Sequence, residues 1–136
     1  MIEQIKADDK LIAIIIRSGF HREGIEFFTP DDYSQQLAYI NRPAGYKIAP
    51  HVHSKIQREV LYTQEVLFIK KGRMKIDFYN EDRNYIESSI LETGDVILLA
   101  SGGHGLEMLE GTEIIEVKQG PFIGDKDKIR FGSDTE

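Results

Sequence analysis

The feature that most constrains this chain is its rhythm. Short β-branched and apolar runs are broken every 8–12 residues or so by glycine, proline or a polar cluster, and a 3.6-residue period is almost absent. The runs fall at 11–16, 24–28, 37–40, 46–53, 65–69, 73–79, 85–91, 96–99, 104–108 and 112–119. Arg42-Pro43-Ala44-Gly45, Lys70-Lys71-Gly72, Asn80 to Asn84, Glu92-Thr93-Gly94-Asp95 and Ser101-Gly102-Gly103 supply turns between them. One helical turn at 31–35, after Pro30, is the most that competes. The pattern predicts an all-β sandwich or barrel.

Alternation within the runs sorts faces, because successive strand side chains point to opposite sides. Met74, Ile76 and Phe78 share one face of 73–79, with Lys75 and Asp77 on the other, as in a half-solvated strand. In 65–69, Glu65, Leu67 and Ile69 oppose Val66 and Phe68, so both faces are apolar and outer cover is expected, a second protomer being one source.

With 136 residues the chain reads as one domain, 1–131, with a loose tail at 132–136. It contains no cysteine, which removes disulfides, thiolate metal sites and cysteine nucleophiles together. A formal charge of −6 with no basic patch argues against nucleic acid. The apolar run 11–16 is too short for a signal core or a membrane span, so no membrane partner and a cytoplasmic location are expected.

Three of the four histidines suggest chemistry. His51 and His53 flank Val52 in an extended segment, so both rings point one way with Cα atoms ~7 Å apart, close enough to share an ion. His104 follows Gly102-Gly103, where the backbone can turn sharply. Three imidazoles and a carboxylate suit Fe, Mn, Co, Ni or Zn and do not suit calcium or magnesium. Against this, two histidines on one strand are often ordinary surface or core residues. His21, in a turn, is expected to be solvated.

These residues also carry a resemblance. Gly45, His51, His53, Glu65 and Gly72 resemble the first motif of the cupin superfamily, G-x5-H-x-H-x(3,4)-E-x6-G. The departure is the eleven-residue stretch 54–64 between His53 and Glu65. Loop length is tolerated, since closure entropy grows slowly. Glu65 is favoured as the carboxylate because it opens a strand and keeps its spacing to Gly72, with Glu59 and Gln64 as alternatives. Gly94, Gly102 and His104 resemble the second motif, with Ala100 in place of the family's proline and Met108 in place of its asparagine. The two motifs cover about half the chain.

The resemblance implies a cupin double-stranded β-helix, a jelly-roll barrel holding one divalent transition metal (Fe, Mn, Ni, Co or Zn) on His51, His53, Glu65 and His104. It also implies a homodimer, paired through outer sheets or by exchange of an N-terminal strand such as 11–16. The expected function is that of a metal-dependent dioxygenase, isomerase or lyase on a small oxygenated molecule, with sugars among the candidates. A noncatalytic metal- or ligand-sensing cupin and a nucleotide-sugar epimerase-like protein stay open as alternatives.

Other residues fall in the same region. Arg42, Arg58, Tyr62 and Gln64 lie near the histidine pair in sequence and could contact a bound substrate, while Arg58 reads better as an ordinary loop residue. Glu116 and Lys118 share a face of the last strand; a solvated outer face, with Ile115 and Val117 turned to the core, is the expected arrangement, and an acid–base pair in the barrel mouth the alternative. The segment 120–131 is expected to wrap the surface on Phe122 and Phe131, with a lid over the opening as the alternative.

Overall fold

The computed structural model describes residues 1–132, so the expected loose tail lies, apart from Gly132, outside the described residues. The chain is all-β, with every strand pairing antiparallel. β1 (Ile2–Ala7) and β2 (Lys10–Ile16) form a hairpin. β3 (Gly24–Phe27) and β4 (Ala38–Asn41) form a second, separate one. The others are β5 (Glu65–Lys71), β6 (Arg73–Tyr79), β7 (Tyr85–Glu92), β8 (Val96–Leu99), β9 (Gly103–Met108) and β10 (Glu113–Lys118). One sheet runs β1-β2-β8-β5-β10 and another β7-β6-β9.

The core gathers the inward faces of these two sheets. Leu67, Ile69, Ile97, Leu99 and Ile15 from the first pack in one cluster with Met74, Ile76, Phe78 and Leu91 from the second. Met74, Ile76 and Phe78 are fully buried, as their alternation predicts. Each such side chain stabilises the fold by about 1.5–3 kcal/mol through burial. Ile14 and Leu98, paired on the opposite face of the first sheet, are buried too. That cover fades toward β5, where Phe68 is 37% exposed.

Most of the expected strands form, and two differences are instructive. β1 was not expected, because Glu3, Gln4 and Lys6 dilute its apolar pattern. Its turn is a readable signal: Asp8 and Asp9 both have positive φ, 53° and 61°, as a two-residue hairpin turn requires. The strand expected at 46–53 does not form. No residue from 42 to 64 is in a strand, and 42–63 are exposed throughout. Pro50 lacks the N–H that a central strand position must donate, and among the described residues no neighbouring strand pairs with this segment.

β10 corrects the reading of Glu116 and Lys118. Glu116 pairs with Leu67 and Lys118 with Glu65. Directly opposed residues of an antiparallel pair project to the same side, so Glu116 and Lys118 share the face of buried Leu67. Ile115 and Val117 point outward and are 51% and 54% exposed. Alternation separated the two faces but could not say which was inner. Register decides that, and it is set here by a shift between Glu113 and Ile114.

Candidate functional site

The two sheets meet at the end where β5 and β9 begin. Glu65, the first residue of β5, and His104, the second of β9, face each other with Nε2 of His104 2.8 Å from Oε1 of Glu65. Glu65 is well buried, its side chain 14% exposed, while His104 is about one-third open to solvent. His104 pairs with buried Phe78 and therefore faces inward. The turn before it is tight: Gly102 has φ +71°, and a Cβ there would lie 2.3 Å from the carbonyl oxygen of Tyr79.

Glu116 hydrogen-bonds Glu65 from β10, and Lys118 adds positive charge beside both. The hydrogen bond from His104, helped by Glu116 and Lys118, holds the Glu65 carboxyl below the ordinary glutamate range against the opposing effect of burial. Glu116 moves the other way, raised first by its hydrogen bond to Glu65 and then by burial and the Glu65 charge. Glu116 is therefore the member of the pair that keeps its proton longer. The linkage signs follow. Glu65 contributes stability above about pH 4.3 that is lost as pH falls through its lowered folded value. Glu116 contributes stability at low pH that is lost as pH rises through its raised value.

His51 and His53 form a second pair. Their rings lie 5.3 Å apart, edge to face, which fits the expected common direction. Nδ1 of His51 lies 2.8 Å from the Ala49 carbonyl, to which it can only donate, so Nε2 is the ring nitrogen left for a metal. Both histidines sit in the exposed segment 42–63. The donor chemistry thus suits a divalent transition metal, but its placement gives two pairs instead of one group of four. Among the described residues no three His, Asp or Glu side chains gather in a group able to hold a metal ion.

The remaining candidate residues separate cleanly. Gln64 is buried and bonded to Ser34, the Gln35 amide and the Ala100 carbonyl, a bracing role that leaves its side-chain oxygen committed. Glu59, Arg58 and Tyr62 are exposed, as is His21. Arg42 lies over the Tyr46 ring at 4.8 Å. The C-terminal segment crosses the Glu65–His104 end: Asp127 bonds Thr63 and lies 3.9 Å from Lys118, and Phe131 packs edge-on against Tyr79 at 5.0 Å beside Gly103. Phe122, expected to pack, is 87% exposed. Of the two aromatics expected to pack, Phe131 is the one that does.

A hollow of about 380 Å³ lined by Lys71, Gly72, Arg73, Glu92, Thr93 and Glu110 lies at the opposite end of β5 and holds none of these groups. Among the described residues no helix is long and apolar enough to cross a membrane. Comparison with protein-family models, with curated proteins and with solved structures found no match.

Proposed function

We propose that this chain is a metal-binding cupin acting on a small oxygenated molecule, with sugars among the candidates, and that Glu65 and His104 are the fixed half of its site. The observation that carries the reading is their 2.8 Å contact, made between two sheets at one end of the core. The two side chains reach that contact from strands that do not pair with each other. His51 and His53 would complete the ligand set, and closure of the two sheets into a jelly roll belongs to the same reading. A divalent metal held there would act as a Lewis acid toward adjacent substrate oxygens. Glu116 would give or take a proton beside that contact, with Lys118 next to it as a fixed positive charge.

A second reading is favoured by the same contact. A carboxylate bonded to an inward histidine is also the pairing that orients a metal-free general base, as a nucleotide-sugar epimerase-like protein would use. Melting curves separate the two. Imidazole binds metal only when neutral, and its reference pKa is about 6.5. Excess zinc, manganese, nickel or cobalt at pH 7.5 is expected to stabilise the protein by about 2.7 kcal/mol at a hundredfold excess over Kd, falling steeply toward pH 5. An equal shift at both pH values means the histidines are not ligands, and no shift with any metal at pH 7.5 favours the metal-free site.

A further inference from the structure

We infer that the segment 42–63 is an exchange arm that docks on the free edge of β9 in a second copy of this chain, so that His51 and His53 of one protomer meet Glu65 and His104 of the other. This rests on the metal reading for its chemistry but not for its geometry.

The arm packs little against its own body, apart from Thr63, which bonds Asp127. All of residues 42–63 are exposed, including Val52 at 93%, Leu61 at 76% and Tyr62 at 77%. Apolar surface of this extent in water is unfavourable by about 25 cal/mol per Å², and larger exposed apolar patches mark association sites. The body shows the matching defect. Among the described residues β9 pairs only with β6, so its other edge offers a row of free N–H and C=O groups. Leu106 and Met108 pair with the fully buried Ile76 and Met74 and therefore face inward, yet they are 43% and 47% exposed. An inward face left open beside an unpaired edge lacks one strand.

Two copies supply each other's deficit. The arm tolerates an edge position, because Pro50 removes a donor only on one side of a strand. Its 22 residues, 42–63, span up to ~70 Å when extended, enough to cross to a partner and return. They also match the ~20–30 residues a side typical of a stable interface. A two-fold axis makes the exchange reciprocal and closed. The outward patch of Phe68, Ile115 and Val117 on β5 and β10 offers a second apolar surface to the same partner. Among the described residues neither donor pair is joined by a third His, Asp or Glu within its own chain in a group able to hold a metal ion, so the partner's arm would bring each site to four ligands.

The absence of cysteine makes the test clean. Val52→Cys lies on the arm, and Gly105→Cys lies on β9, where a Cβ meets nothing within 4 Å. Both side chains point away from the histidines if the two strands pair with all three rings inward. Chains of different size, one carrying each substitution, are co-refolded and treated with a short bismaleimide in the presence of chelator. The expected result is a covalent dimer of one large and one small chain. An internally bridged monomer from the double variant, with no cross-linked dimer in the mixture, overturns the proposal in favour of closure within one chain. No cross-link in either sample overturns docking on β9 altogether. Because chelator is present, a cross-linked dimer that later fails to bind Co(II) leaves the exchange standing and removes only the metal reading.

Discussion

Gly102→Ala is expected to cost about 3 kcal/mol or more and to lower the melting temperature by roughly 10 °C. The added Cβ would sit 2.3 Å from a backbone oxygen, at a φ of +71° that L residues rarely adopt. Backbone cannot yield as a flexible side chain can, so the β8–β9 turn must move and carry His104 away from Glu65. Gly105→Ala is the control, with no atom within 4 Å of the new Cβ, and should change stability by less than about 1 kcal/mol. Thermal denaturation of both variants checks this. A Gly102→Ala protein melting with the wild type would mean that the turn before His104 is not the constrained element described above.

Asp95→Ala is expected to cost about 3–5 kcal/mol. Asp95 is 3% exposed. Its carboxylate accepts from the Ser18 amide at 2.8 Å, the Glu92 amide at 2.7 Å and Arg17 Nη1 at 3.1 Å. The side chain thus ties the end of β2 to the turn between β7 and β8. Removing it leaves two amides without acceptors and loosens Arg17, which keeps Glu3 and the Ile90 carbonyl. Asp95→Asn retains part of the acceptor set and should fall between. Urea unfolding with an unchanged slope gives the differences directly, and a loss under 1 kcal/mol for the alanine variant would contradict the buried network.

The strands of the core were legible because they are short, β-branched and punctuated. Residues 73–79 and 96–99 are recovered at both ends, and the inner face of Met74, Ile76 and Phe78 follows from alternation alone. Register was not legible. Whether Glu116 or Ile115 faces inward depends on a shift between Glu113 and Ile114 that no local pattern announces. β1 was hidden by its charged residues, although the Asp8-Asp9 turn marks it. The segment 46–53 reads as a strand because its alternation is sound, but a strand needs a neighbour, and pairing is a property of the assembled sheet rather than of the segment. For the site, sequence named Glu65 and His104, which the fold brings into contact. His51 and His53 face together as period 2 demands, yet the two pairs stay separate. The inward placement of Glu116 is hidden for the same reason, since alternation separates two faces without saying which is inner.

The most direct test of the metal site is a titration of tag-free protein with Co(II) at pH 7.5, read by ligand-field absorption in the wild type, in His104→Ala and in the His51→Ala/His53→Ala double variant. The account predicts saturation at about one ion per chain in the wild type. It predicts loss of that absorption in both variants, since ligands from both pairs are needed. Undiminished Co(II) absorption in either variant, or no saturable binding by the wild type, would contradict it.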